Sequence, residues 1–255
     1  MCADAGVVPT VVNFDPRKPD IFRIALSVAM SQWLPGTLGH VFVDISGRPM
    51  QGIMMTLAAI RETVPPPDVT VLYAEALAYF PEKATVMPAR RIRSDRSKIP
   101  PAAALSEEMS GNLIPKYFSG SSIAFSSCLM LFAGYEQHRS LGVVDELNPA
   151  KLVLLYGAPD RDEWSWRTEY SRQLHEPLKG MRPTAEEVLP TLNPWTTIAA
   201  LEQYRDVQVV FPLPVRYLPR NYSTGVGRVF SFPLPNSLDV AIFIRQIPAA
   251  VSGQR

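Results

Sequence analysis

Gly39-His40-Val41-Phe42-Val43-Asp44 is a short apolar run that ends on an acid, and the turn formers Ser46-Gly47-Arg48 follow it. Val and Phe dominate the run and a Ser-Gly turn closes it, so residues 38–45 read as a β-strand. Side chains alternate along a strand, so His40 and Asp44 share a face with Phe42 between them. An acid at the end of such a strand is first a turn former, because its carboxylate accepts N–H bonds from the next two or three residues. Asp44 is therefore expected to be structural, with a catalytic or metal role as the minor alternative.

Outward from that strand, residues 1–19 look extended, with Pro16 and Pro19 as breakers. Asp20 is placed to cap residues 21–33, whose apolar positions fit helical and strand periods equally. Residues 52–64 read as a helix with Ile53, Leu57 and Ile60 on one face, ended by Pro65-Pro66-Pro67. Residues 69–80 are apolar, and their type stays open. Residues 123–132 and 151–156 read as strands, and 160–174 as a helix carrying Trp164 and Trp166. Thr184 followed by Glu187 is a capping-box signal for a short helix ending near Pro190. Residues 195–204 read as a further short helix, and 207–211, 228–232 and 240–247 as strands. The expected fold is mainly β, a jelly-roll-like antiparallel β-sandwich with inserted short helices. Its strands are those at 38–45, 123–132, 207–211, 228–232 and 240–247. The expected organisation is an N-terminal extension at 1–34 and one sandwich domain at 35–255, with a largely helical insertion at about 145–205.

The 255 residues suffice for one large domain or two small ones. The formal net charge is +1, which excludes a globally basic nucleic-acid protein but leaves a local patch open. The 25 prolines, about twice the usual share, suit short strands joined by stiff turns. Only two cysteines occur, Cys2 and Cys128, far apart, which points to a reducing compartment rather than a disulfide. Cys128 reads as a small buried hydrophobe. Residues 1–10 lack the basic and apolar regions of a signal peptide. No run is long enough for a transmembrane helix.

Little catalytic chemistry is written in the chain. His40, His138 and His175 have no metal-ligand spacing, and no Cys-x-x-Cys occurs. Gly225-Val226-Gly227 lacks the third glycine of a dinucleotide fingerprint and precedes a strand. A hydrolase built on Cys128 or Ser127 with His40 remains an alternative. Arg90, Arg91, Arg93, Arg96 and Lys98 form the dense basic run, bounded by prolines and offset by Asp95. They read either as a solvated loop or as phosphate contacts that carry no base information. Arg216, Arg220 and Arg228 interleave with Tyr217, Tyr222 and Phe230, a sparser set able to stack single-stranded bases. Trp164 and Trp166 stand two apart and so do not share a helix face. Gly120-Ser121-Ser122 reads as an anion nest or a polar turn.

Four segments occur in an order that resembles the thirty-kilodalton superfamily of plant-virus cell-to-cell movement proteins. They are the strand ending at Asp44, the step Ala78-Tyr79-Phe80-Pro81, the Gly-Ser-led strand from Gly120 to Phe132, and Pro219-Arg220-Asn221-Tyr222 with Gly225, Gly227 and the strand into Pro233. The resemblance implies a jelly-roll core and places Asp44, Asn221 and Tyr222 at family-motif positions with structural roles. The stretch from Asp145 to Arg205 has no clear counterpart there. The function implied is a non-enzymatic viral movement protein without cofactor. It would bind single-stranded nucleic acid (viral RNA), self-associate, and meet host junction or membrane-associated proteins. It would act in the host cytoplasm and at plasmodesmata. The alternatives are a viral coat, matrix or nucleocapsid-associated protein, and the small Cys/Ser hydrolase.

Overall fold

The computed structural model describes residues 9–33, 39–64, 67–86, 109–114, 127–159, 161–190, 210–214 and 224–234. Their elements in chain order are α1 (Pro19–Trp33), β1 (His40–Asp44), α2 (Met50–Arg61), β2 (Asp68–Ala74), α3 (Lys83–Val86), β3 (Met109–Leu113) and β4 (Cys128–Ala133). There follow α4 (Gln137–Leu147), β5 (Lys151–Ala158), α5 (Trp166–Lys179), β6 (Thr184–Pro190), β7 (Phe211–Pro214) and β8 (Val229–Pro233). The described residues form two compact units. The first holds those up to Glu75 and Val226–Leu234, and the second holds those from Ala76 to Gly225.

The first unit is built on a β-α-β step. β1 and β2 pair in parallel, from His40 opposite Asp68 to Asp44 opposite Leu72, and α2 is the crossover between them. A parallel pair needs such a crossover, because a tight turn can only reverse the chain. β8 adds to the far side of β2 in the antiparallel sense, giving the order β1-β2-β8. Val43, Ile45 and Val71 are buried while Phe42 is 64% exposed, so one face of the sheet is covered and the other open. α2 is buried from Gln51 to Ile60, and α1 packs against it. Segment 21–33, undecided from sequence, is thus helical, and it lies inside this unit.

The second unit carries a three-stranded parallel sheet, β4-β5-β6, with α4 and α5 as its two crossovers. Leu152, Val153, Leu154, Leu155 and Tyr156 are all buried. A continuous apolar run of this kind belongs to a central parallel strand covered on both faces. Leu131, Val144, Leu152, Leu154, Tyr156 and Leu178 form the core, with Leu129, Ala133 and Leu141 against it. β3 and β7 make a separate antiparallel ribbon. Asn112 Nδ2 donates to Glu146 at 2.7 Å and Arg139 donates to the Pro212 carbonyl at 2.8 Å, fixing the ribbon to α4.

Several expectations meet a different arrangement. Of the strands expected to share one antiparallel sandwich, β1, β4, β7 and β8 lie in three small sheets, and no sandwich is seen among the described residues. Helices long enough for crossovers join β1 to β2, β4 to β5 and β5 to β6, so those neighbours run parallel. Residues 184–190 are strand β6, not a capped helix: pairing with β5 outweighs the local capping signal. Cys128 is exposed, because Leu129 and Leu131 take the covered face of β4 and the alternation turns Cys128 outward. The strand expected at 240–247, most of 207–211 and the helix at 195–204 lie outside the described residues.

Candidate functional site

The residues with the most concentrated chemistry stand at the carboxyl ends of β4 and β5 in the second unit. Open parallel sheets expose their loops there, and ligands bind at that edge. α5 is fastened to it by three side chains of its first two turns. Thr168 Oγ1 donates to the Gly157 carbonyl at 2.7 Å, just inside the end of β5. Ser171 Oγ lies 2.9 Å from the Gly134 carbonyl and 3.2 Å from that of Ala133, at the end of β4. Arg167, only 8% exposed, donates to Tyr135 Oη at 3.1 Å and to the carbonyls of Tyr79 and Pro81 at 2.9 and 3.1 Å. The planar guanidinium suits this task, since its fork of donors reaches three acceptors at once. Its Nε is buried without a partner.

Aromatic rings surround that guanidinium. Its carbon lies 4.7 Å from the ring centre of Trp166, 5.5 Å from Tyr135 and 5.6 Å from Tyr79. Trp164 meets Tyr79 edge-on at 5.0 Å, and Tyr170 lies 6.3 Å from both Tyr135 and Trp166. Arg161 lies over Trp164 at 4.1 Å and pairs with Glu163. All five aromatic residues are half-buried. Burial pushes the Tyr135 and Tyr170 phenols above their ordinary range, while the Arg167 charge pulls Tyr135 partly back. Both phenols stay neutral at physiological pH. The tyrosine of the aromatic-Pro step, Tyr79, belongs to this cluster. Thr224 forms an isolated antiparallel bridge with Ala78, next to Tyr79: the two exchange N–H···O bonds at 3.0 and 2.9 Å. Gly225, at φ 73°, follows, where an added Cβ would stand 2.8 Å from Leu77 Cβ.

A nucleophile–base arrangement also exists in this unit, but it is sealed. The His175 ring is fully buried and bonds the Ser171 carbonyl through Nδ1 and Ser140 Oγ through Nε2, both at 2.8 Å. A carbonyl only accepts, so Nδ1 carries the proton and Nε2 accepts from Ser140. Burial lowers the His175 pKa and keeps the ring neutral. With Ser140 7% exposed, the pair joins α4 to α5 and offers no approach to a substrate. Although the residue is exposed, partial desolvation raises the Cys128 thiol above its usual range, against the opposing pull of Lys151, which depletes the reactive thiolate. His40, in the first unit, lies 2.8 Å from Thr70 Oγ1 and against the Phe42 ring.

In the first unit, Asp44 Oδ1 accepts the Ser46 N–H at 2.8 Å, and the bonds from Ser46 hold its carboxyl below the usual range. Ser46 Oγ in turn accepts the Ala74 amide at 2.7 Å, tying the turn to the end of β2. Gly47, at φ 66°, occupies the left-handed region that this turn demands. Arg228 stacks on Phe230 at 5.1 Å and pairs with the buried Glu75 at 2.9 Å, so both belong to the fold of this unit. Arg90, Arg91, Arg93, Arg96 and Lys98, with Asn221, Tyr222, Arg216, Tyr217, Arg220 and Gly120-Ser121-Ser122, lie outside the described residues.

Among the described residues, no group of three His, Cys, Asp or Glu is placed to hold a metal ion, and no helix is long and apolar enough to cross a membrane. No family model, no curated protein and no solved structure matches this chain.

Proposed function

We propose that this protein is a non-enzymatic binder of single-stranded nucleic acid, which it takes by stacking bases on the aromatic cluster at the carboxyl ends of β4 and β5. The observation that carries the reading is the set of five half-buried rings, Tyr79, Tyr135, Trp164, Trp166 and Tyr170, assembled around one buried arginine. Every base has a flat π face, so such rings accept single strands without regard to sequence. Arg161, beside Trp164, and the basic run Arg90, Arg91, Arg93, Arg96 and Lys98 supply the phosphate contacts. The raised Cys128 thiol argues against a hydrolase built on that cysteine. Cell-to-cell movement at host junctions is the cellular context we attach to this binding, and it rests on the order of sequence motifs alone.

Tryptophan fluorescence tests the reading. Titration with oligouridylate should quench Trp164 and Trp166 saturably. Trp166→Ala should weaken binding by about 5- to 150-fold, the equivalent of one lost stack at about 1–3 kcal/mol. Uridine monophosphate should bind far more weakly than the oligomer. If the oligomer gives no saturable quenching, or binds Trp166→Ala as well as wild type, the proposal fails.

A further inference from the structure

We propose that the amino end of α2 is a binding site for a phosphate monoester, held by the turn Ser46-Gly47-Arg48 and by Gln51. This site belongs to the first unit and does not rest on the base-stacking reading of the second.

The argument begins with the β-α-β step. β1 ends at Asp44, the turn passes through Gly47 in the left-handed region, and α2 starts at Met50. A parallel strand thus delivers its chain directly to a helix amino end, where open amides and the helix dipole favour an anion. The N-cap residue is Pro49, whose side chain cannot accept an N–H bond, and no side chain caps the helix. Ile53 N–H bonds the Pro49 carbonyl at 3.1 Å, so the amides of Met50, Gln51 and Gly52 are those the helix itself leaves open.

The second observation is Gln51. It is only 5% exposed, and its Nε2 is buried without a partner. A buried amide nitrogen is rarely left unpaired, because its lost hydration goes unreplaced. Gln51 stands in the first turn, and Cα–Cβ bonds of a helix tilt toward its amino end. On this proposal its buried nitrogen and the open amides serve the same oxyanion. Access is available, since Gly47, Arg48, Pro49 and Met50 are exposed around this end.

Charge sets the ligand. Asp44 is ionised in the same turn, with Arg48 near enough to stabilise it electrostatically. Arg48 offers the incoming anion a cationic contact, and Asp44 repels it. A phosphate monoester, with several acceptor oxygens, can use the backbone amides, Gln51 and Arg48 together, which a halide cannot.

The test is a ¹⁵N–¹H correlation titration of the whole chain at constant ionic strength. Inorganic phosphate and adenosine monophosphate are the probes, and adenosine is the uncharged control. Phosphate should shift the amides of Met50, Gln51 and Gly52 and the Gln51 side-chain NH₂ saturably, and adenosine should not. Tighter binding of adenosine monophosphate than of phosphate would identify a nucleotide as the source of the group, and equal binding would identify the phosphate alone. Gln51→Leu should weaken phosphate about tenfold, the equivalent of one hydrogen bond to a charged acceptor. Arg48→Ala, at the exposed turn, should weaken it by a smaller factor, and Asp44→Asn, which keeps the acceptor for Ser46, should strengthen it. The proposal is overturned if phosphate gives no saturable shift at these amides. It is equally overturned if adenosine alone reproduces the shifts, or if Gln51→Leu and Arg48→Ala, each giving a folded spectrum, both bind as wild type.

Discussion

Arg167→Ala should be among the most damaging single substitutions in the second unit. The guanidinium serves three acceptors, Tyr135 Oη and the carbonyls of Tyr79 and Pro81, from a position 8% exposed. Removing it takes a donor from each of these carbonyls, at a cost of about 1–3 kcal/mol each. The lost contacts with Trp166, Tyr135 and Tyr79 add roughly 0.5–2 kcal/mol. Since such terms do not add fully, the expected loss is about 3–5 kcal/mol. Arg167→Lys keeps the charge but not the fork, and should lose about half as much. The assay is hydrogen exchange on peptides from β4, β5 and α5, which reads the second unit alone. A second readout is the Tyr135 phenol: without the Arg167 charge its titration should move further upward. A loss below about 1 kcal/mol in Arg167→Ala would refute the clamp. Equal losses from Ala and Lys would refute the role given to the planar fork.

Three further outcomes are expected. Asp44→Ala should cost about 1 kcal/mol for the lost Ser46 bond, and Asp44→Asn less, in urea titrations. The lowered Asp44 pKa means that its contribution is present at neutral pH and fades as pH falls below about 4. For His175 the folded state resists the proton that the unfolded chain accepts near pH 6.5. Stability of the second unit should therefore be full above that pH and decline as pH falls, by at most about 1.4 kcal/mol per pH unit. Thermal melts of wild type and His175→Gln between pH 7.5 and 5 should lose that slope in the variant. Replacing Arg90, Arg91 and Arg93 together by Ala should flatten the salt dependence of oligouridylate binding by up to about two units, at roughly 0.7 per contact. Identical slopes would remove this run from the function.

The sequence made some of this structure readable and concealed the rest for identifiable reasons. The strand into Asp44, the helix after it and the helical character of α5 follow from periodicity and turn chemistry, which are local. The parallel pairing was also written locally, in the unbroken run Leu152 to Tyr156, whose lack of alternation marks a strand covered on both faces. The spread of prolines and short strands pointed instead to an antiparallel sandwich. α4 carries its signal too, with Leu141, Val144 and Leu147 at helical spacing and Asn148 in the left-handed region after it. Gly142 and a mostly polar composition obscured it. Thr184 and Glu187 satisfied a capping pattern that pairing with β5 outweighed. The aromatic cluster was not legible. Tyr79 and Arg167 meet across 88 positions, and nothing in a single sequence couples residues that far apart.

Ultraviolet crosslinking of the full chain to oligouridylate, with the crosslinked peptides identified by mass spectrometry, tests the central claim most directly, because it reports where the bases lie. The account predicts crosslinks in peptides carrying Tyr135 and the segment from Trp164 to Tyr170, lost when free oligonucleotide competes. Crosslinks confined to other peptides, or none at a saturating concentration of the strand, would contradict it.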